Sequence, residues 1–297
     1  MLLGHYVNPL PGEDPIKIGV ALRCIYCGNT AEPLGVEHAI PEAIGGGLLL
    51  TKATCPCGPK LTHGFEGAVT RQIFQQVRRQ LGIKGKKRKR TPDEMLLPVF
   101  DRYTEDMSLV RKVAIEDHPS VLTIPRIKPL ARLGALQELQ MADGHPLPVD
   151  FWQLTRDHDQ RVERLKQRGH TGVWGLATIE ITPFFKLLAK IAHTCAMAAL
   201  GHDGFDPLLV AGIRGEAGLL DDLVGELPAF SPSLFPFGCR RGLHEVAVGI
   251  IHDHPDTVFV NIRLFSNLMR PTMPYFTPAY AVVAGRLTDR QREKLGF

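Results

Sequence analysis

Four cysteines in two close pairs constrain this chain more than any other feature of its sequence. The pairs are Cys24 with Cys27 and Cys55 with Cys57, and each lies in a turn that contains glycine or proline. Two such pairs in a reducing compartment are typical of a structural zinc site, in which four thiolates leave no position open for water. The Cys-x-Cys spacing of the second pair is tighter than usual, so His63 is the alternative for one of its two ligands.

The expected compartment is the cytoplasm, where thiols stay reduced. The N-terminal stretch has neither a basic region nor a long apolar core, so it does not have the pattern of a secretory signal. The most apolar helical stretch, 184–200, is interrupted by Lys186, Lys190 and His193. Its unbroken part is much shorter than the ~20 residues that a bilayer requires, and no membrane partner is predicted.

A local concentration of positive charge follows the second cysteine pair. The chain carries a net charge of +4, whereas residues 71–90 alone carry +9 and no acid, so the remainder sums to −5. Such a run is either a solvated flexible segment or a phosphate-binding surface, and its position beside the cysteine pairs favours nucleic acid. The predicted phosphate-binding residues are Arg71, Arg78, Arg79, Lys84, Lys86, Lys87, Arg88, Lys89 and Arg90.

Hydrophobic periodicity predicts an α+β fold. Apolar residues at mostly four-residue steps, after a proline that suits the first turn, predict one helix over 59–81. A second helix is expected over 184–200. Residues 1–22 form an extended lead-in with an apolar run at its end, and short strands are predicted at 48–50, 245–251, 258–264 and 280–283.

These elements divide into two predicted domains. Residues 15–81 form an N-terminal module that contains both cysteine pairs, and residues 82–95 form a basic linker. Residues 96–297 form an α+β domain with an antiparallel sheet. Its role is left open, with substrate recognition as the expectation by analogy with other multidomain proteins.

The motif Glu37-His38-x-x-Pro41 lies between the two cysteine pairs. A carboxylate beside a histidine offers a metal ligand and a general base. Adjacent side chains of an extended segment point to opposite faces, so a second element must bring a further ligand to the same cleft. The helix that follows Cys57 is that element.

The run CIYCGNTAEPLGVEHAIPEAIGGG, followed by CPCG and a helix, resembles the HNH endonucleases that carry a zinc-stapled ββα-metal (His-Me finger) module. The similarity is to a bacterial and phage subgroup, and Thr62 and Phe65-Glu66 match its helix. It covers roughly residues 20–75. The resemblance implies an N-terminal ββα-metal module with structural zinc.

The same resemblance implies a divalent-metal-dependent endonuclease that hydrolyses phosphodiester bonds, with DNA favoured over RNA. His38 would activate water, and Glu37 would help to hold Mg²⁺ or Mn²⁺. The family often has asparagine directly after the last zinc cysteine, where this chain has Gly58. The helix-side ligand is therefore expected from His63 or Glu66, which lie on one helical face.

Two other functions remain open from the sequence. One is a zinc-stabilised nucleic-acid-binding protein without catalysis, which the missing asparagine favours. The other places the working part in the C-terminal domain, with the cysteine module as a docking unit.

Overall fold

The computed structural model describes residues 1–31, 33–83, 94–98, 110–130, 133, 149–154, 157–169, 180–216, 218–227, 233–236, 242–268 and 279–297. Within these ranges the chain is a mixed α+β structure whose largest sheet is antiparallel, as the sequence predicts. Most of the basic run, from Lys84 to Arg90, lies outside the described residues.

The N-terminal module contains a three-stranded sheet and two helices. Its middle strand runs antiparallel to the strand that carries Glu37 and His38, and parallel to the strand before the first cysteine pair. The order across the sheet is β2-β4-β3, and a short 3-10 helix at Glu42–Ile44 separates β3 from β4. The elements are β2 (Ile16–Val20), β3 (Gly35–His38), β4 (Leu48–Thr54), α1 (Cys57–Gln72) and α2 (Gln75–Gln80).

The helix predicted over 59–81 begins at Cys57 and is broken between Gln72 and Gln75. At the break, the carbonyl of Val69 accepts hydrogen bonds from the amides of both Ile73 and Phe74. The break turns the Phe74 ring into the core, where it is fully buried. Burial of the ring stabilises the fold more than the helical hydrogen bonds that are lost at the break. The periodicity of apolar residues in the sequence does not show this.

The large sheet is formed by the first strand of the chain and by strands from its C-terminal part. From one edge to the other, the strands of this sheet are 2–7, 245–251, 254–263, 280–287 and 224–226, and the strand at 205–207 pairs with the other end of 280–287. The predicted strands at 245–251, 258–264 and 280–283 are all present, whereas the residues expected as a lead-in supply an edge strand. The strands are β1 (Leu2–Val7), β9 (Phe205–Pro207), β10 (Val224–Glu226), β11 (Glu245–Ile251), β12 (His254–Arg263) and β13 (Tyr280–Leu287).

Helix α4 (Ile181–Leu200) contacts both α1 and the strands of the large sheet. By length and composition it resembles a membrane span, but 72% of its most apolar window is buried inside the protein. It is the central helix of the hydrophobic core. This position explains why its pattern is apolar around most of its circumference.

The other described elements lie around these layers. Strand β5 pairs with β6, and β7 pairs with β8, each in an antiparallel two-stranded sheet. Their bounds, with those of the remaining helices, are β5 (Glu94–Pro98), β6 (Val110–Ala114), β7 (Val121–Pro125), β8 (Val149–Gln153), α3 (His158–Gln167), α5 (Leu209–Arg214) and α6 (Asp289–Leu295).

One hydrophobic core extends across the predicted boundary between the two domains. Buried residues of the N-terminal module, such as Phe74 and Leu50, belong to the same contiguous cluster as Phe184 and Tyr280. The Phe74 ring lies 6.4 Å from that of Phe184 and 5.1 Å from that of Phe265, measured between centroids.

Candidate metal centre and buried ion cluster

The four predicted zinc ligands lie together in the structure. Their sulfur atoms are all within 4.8 Å of one another, and three of the distances, Cys24–Cys57, Cys27–Cys55 and Cys27–Cys57, are 3.5–3.6 Å. Four thiolates at 2.3 Å from a tetrahedral Zn²⁺ would be about 3.8 Å apart. The cluster is therefore compatible with a structural metal ion, and the tight Cys-x-Cys pair contributes both of its sulfurs.

Two glycines allow the cysteine turns to close. Gly28 has a φ of 74°, which an L side chain rarely adopts, and its amide donates to the carbonyl of Cys24. Gly58 lies at the start of α1, where a Cβ atom would overlap the hydroxyl oxygen of Thr54. The amide of Ile25 donates to the carbonyl of Ala53 at 2.8 Å, which ties the first turn to β4.

The thiols differ in their surroundings. Burial disfavours the charged form of Cys24, but hydrogen bonds from the backbone of Cys55, Tyr26 and Cys27 outweigh it and lower the pKa of Cys24 to about 7. Burial and the neighbouring sulfurs raise the pKa of Cys57. A metal ion would hold both sulfurs as thiolates, because only the thiolate is a ligand.

Side chains from the C-terminal half hold the backbone of the first cysteine turn. The imidazole Nε2 of His193 donates to the carbonyl of Ile25 at 2.7 Å, and Arg214 donates to that of Tyr26 at 2.6 Å. His202 donates to the carbonyl of Arg23 at 3.2 Å. Burial lowers the pKa of His193 to about 4, so this contact is made by a neutral ring at pH 7.

Strand β3 ends with Glu37 and His38, whose side chains have different surroundings. Glu37 is buried, whereas His38 is half-buried. The Nδ1 atom of His38 is buried and has no hydrogen-bond partner among the described residues. The sequence thus places its two predicted catalytic groups side by side in the chain but in different environments, as expected for neighbours in a strand.

A buried ammonium group joins Glu37 to the helix-side residue Glu66. The Nζ atom of Lys190 lies 2.8 Å from Oε1 of Glu37 and 3.2 Å from Oε1 of Glu66. It also donates to the backbone carbonyl of His38. Burial favours the neutral amine, but the two carboxylates outweigh it and raise the pKa of Lys190.

This arrangement bears directly on the predicted catalytic cation. The oxygen atoms of Glu37 and Glu66 are ligands of the kind that Mg²⁺ and Mn²⁺ prefer, but they already hold Lys190, whose side chain is only 1% exposed. A catalytic cation needs open positions for water and substrate. With Lys190 in place, the residues present do not fit such a cation.

His63 does not join this cluster. It lies on the exposed side of α1, whereas Glu66 is half-buried and faces Lys190. Within the described ranges, the four cysteines are the one group of three or more cysteine, histidine or acidic side chains close enough to share a metal ion. Of the two helix-side candidates, it is Glu66 that lies near Glu37.

Three of the predicted phosphate-binding residues lie in the described part of the chain. Arg71 is exposed in the last turn of α1, and Arg78 and Arg79 are half-exposed on α2. One guanidinium nitrogen of Arg79 donates to the carbonyl of Glu94 at 3.4 Å. The other six, Lys84, Lys86, Lys87, Arg88, Lys89 and Arg90, lie outside the described residues.

Besides His193, His202 and Arg214, which hold the first cysteine turn, two further contributors to the site were not found from the sequence. In the sequence, Lys190 is noticeable only because it interrupts the apolar stretch 184–200. A single lysine within an apolar helix is the one feature that could have identified it as part of the site. Asn8, which is fully buried, holds the triple-glycine turn that follows His38, and nothing in the sequence marks it.

Comparison of the chain with family models, with curated proteins and with solved structures gives no match.

Proposed function

We propose that this chain is a zinc-stabilised nucleic-acid-binding protein with an HNH-type ββα module, and that this module does not hydrolyse phosphodiester bonds through a divalent cation. The observation that carries the proposal is the position of Lys190. Its buried ammonium pairs with both Glu37 and Glu66, the carboxylates that would otherwise be available to a catalytic cation. Zinc on the four cysteines would join the first turn to the start of α1.

The distribution of charge supports nucleic acid as the partner. Helix α1 begins at Cys57, within the cysteine cluster, and ends near the exposed Arg71. The arginines of α2 and the basic run after it continue this positive segment, and residues 71–90 contain no acid. A surface that neutralises several phosphates releases their counterions, which makes binding strongly dependent on salt.

Fluorescence anisotropy with a labelled DNA duplex and a labelled RNA, over a series of salt concentrations, tests this binding. We expect the logarithm of the affinity to fall linearly with the logarithm of the salt concentration. Replacing all six basic residues of 84–90 by glutamine should reduce the slope by several units. Arg71→Gln should reduce it by about one unit.

Arg290→Gln is the matched control, because Arg290 is an exposed arginine on α6 and lies outside the basic run. It should leave both the affinity and the slope unchanged. Failure of the zinc-loaded protein to bind either nucleic acid, or unchanged binding by the six-residue variant, would contradict the proposal.

The second candidate is the endonuclease, which a specific feature of His38 favours. Its imidazole is half-exposed at the end of β3, and an imidazole nitrogen with a free lone pair can accept a proton from water. The order β3, β4, α1 around it is that of a ββα unit. In this candidate His38 is the general base, and DNA is the favoured substrate.

Nicking of supercoiled plasmid, with Mg²⁺ or Mn²⁺ added, separates the two candidates. The wild-type protein is compared with His38→Ala and with the matched control His63→Ala, which removes an exposed histidine from α1. Binding without nicking by all three proteins supports the first candidate. Nicking by wild type and His63→Ala, lost in His38→Ala and with chelator, supports the second.

A further inference from the structure

The ammonium of Lys190 is surrounded by oxygen atoms of the N-terminal module. Glu37 and His38 at the end of β3 supply a carboxylate and a backbone carbonyl, and Glu66 on α1 supplies the second carboxylate. The side chain of Glu37 is 8% exposed and that of Glu66 is 20% exposed. The three acceptors match the three N–H groups that an ammonium can donate.

The same three oxygens make a set of hard ligands. Two carboxylates and a carbonyl are the donors that Mg²⁺ and Mn²⁺ take in proteins. Two carboxylates without a cation would be costly at this depth, because buried like charges disfavour each other. This pocket, formed by the carboxylates of Glu37 and Glu66 and the carbonyl of His38, therefore needs a cation.

We infer that Lys190 is the resident cation of this pocket, and that its ammonium stands in for a divalent metal ion and excludes it. In the native protein the pocket then binds neither Mg²⁺ nor Mn²⁺, and the ammonium joins β3 and α1 to α4. The inference does not depend on nucleic-acid binding, since it concerns the cation alone.

The position of Lys190 within α4 favours a permanent contact. Its backbone carbonyl accepts from the hydroxyl of Thr194 at 2.9 Å, and Ile191 and His193 beside it are fully buried. Withdrawal of the ammonium would therefore require movement of the central helix of the core. Such movement would also break the contact between His193 and Ile25.

Thermal unfolding and Mn²⁺ binding by electron paramagnetic resonance, both on the zinc-loaded full chain, test this inference. We expect millimolar Mn²⁺ to leave the wild-type melting temperature unchanged, with no Mn²⁺ bound at the pocket. Lys190→Ala should melt about 10 °C lower, because it leaves two buried carboxylates without a counter-ion. Mn²⁺ should bind this variant and restore at least half of that loss.

Two further variants control the experiment. Lys186→Ala removes a half-exposed lysine from the same helix, and it should neither bind Mn²⁺ nor respond to it. The triple variant Glu37→Gln, Glu66→Gln, Lys190→Met has no charge in the pocket. Its melting temperature should be closer to that of wild type than the melting temperature of Lys190→Ala is. Mn²⁺ should not change the melting temperature of the triple variant.

Several results would overturn the inference. One is Mn²⁺ binding by wild type that Glu66→Gln abolishes, which would show that the metal and not the ammonium occupies the pocket. Another is a folded Lys190→Ala that does not bind Mn²⁺. If Lys190→Ala does not fold, the wild-type titration decides: bound Mn²⁺ that depends on Glu66 overturns the inference, and its absence supports it.

Discussion

The side chain of Asn8 holds the amide of Gly47: Oδ1 of Asn8 accepts a hydrogen bond from that amide at 2.7 Å. The Nδ2 group of the same side chain donates to the carbonyl of Gly45 at 2.9 Å. A residue just after the first strand thereby fixes both ends of the glycine turn that follows His38. The turn between β3 and β4 is thus oriented by an asparagine outside both strands.

We expect Asn8→Ala to lower the free energy of unfolding by about 3 kcal/mol. The substitution removes the partners of Gly45 and Gly47 and leaves the buried amide of Gly47 without an acceptor. Urea denaturation followed by circular dichroism measures the change. Asn267→Ala, at an exposed asparagine, should change the value by less than about 0.5 kcal/mol. Equal effects of the two substitutions would refute this role of Asn8.

Metal removal should destabilise the cysteine turns and the start of α1. We expect one zinc ion per chain by elemental analysis, and Cys55→Ala should lose it together with much of the thermal stability, because metal binding and local folding are coupled. Cys195→Ala, at a buried cysteine outside the cluster, should retain the zinc. Full zinc content in Cys55→Ala would instead mean that three cysteines and another ligand suffice.

Substitution by alanine should lower the stability of the protein at Gly46 and raise it at Gly64. A Cβ atom at Gly46 would overlap the carbonyl oxygen of Ile40, so Gly46→Ala should cost about 3 kcal/mol or more. Gly64 lies on the exposed side of α1 with nothing within 4 Å of the added atom. Gly64→Ala should therefore stabilise the protein by up to about 1 kcal/mol. Differential scanning fluorimetry of the pair would reveal a wrong sign in either case.

Acid should destabilise the fold through His244. The amide of Phe265 donates to Nδ1 of His244 at 3.2 Å, so Nε2 carries the hydrogen and donates to the carbonyl of Ile44 at 3.0 Å. Burial lowers the pKa of His244 to about 4. An unfolded histidine has a pKa near 6.5, so the unfolded chain binds more protons between these values.

The contribution of His244 is therefore complete above about pH 6.5 and decreases by roughly 3 kcal/mol as the pH falls to 4. Urea midpoints measured across this range should decline less steeply in His244→Gln than in wild type. His252→Gln, at a fully exposed histidine, should follow the wild-type curve. Parallel curves for all three proteins would exclude His244 as a source of the decline.

The cysteine cluster could be predicted because the two cysteines of each pair are close together in the sequence. Two thiols two or three residues apart in a glycine- or proline-containing turn can converge on one point without help from distant residues. The three C-terminal strands were predictable from short apolar segments. The alternation within them predicts half-buried strands, which is wrong for β11, because all seven of its residues are buried. The order of the sheet, with β1 beside β11, depends on pairing across the whole chain.

The ion cluster was not predictable from local patterns. The pairing of Lys190 with Glu37 and Glu66 depends on how α4 packs against α1, which no spacing within either helix encodes. The break in the predicted helix at residues 73–74 has the same origin, because Phe74 turns toward Phe184 and Phe265. In both cases a tertiary contact outweighs the local preference.

The distance along the chain between Lys190 and its partners has a consequence for synthesis. Lys190 follows His38 by 152 residues, so the ribosome requires roughly 8 to 30 s to produce it after the module's strands. Once Glu66 has also been synthesised, both carboxylates are present in the nascent chain, but their counter-ion Lys190 is not. The contact that joins β3 and α1 to α4 can therefore form only late in synthesis, after most of the chain has been made.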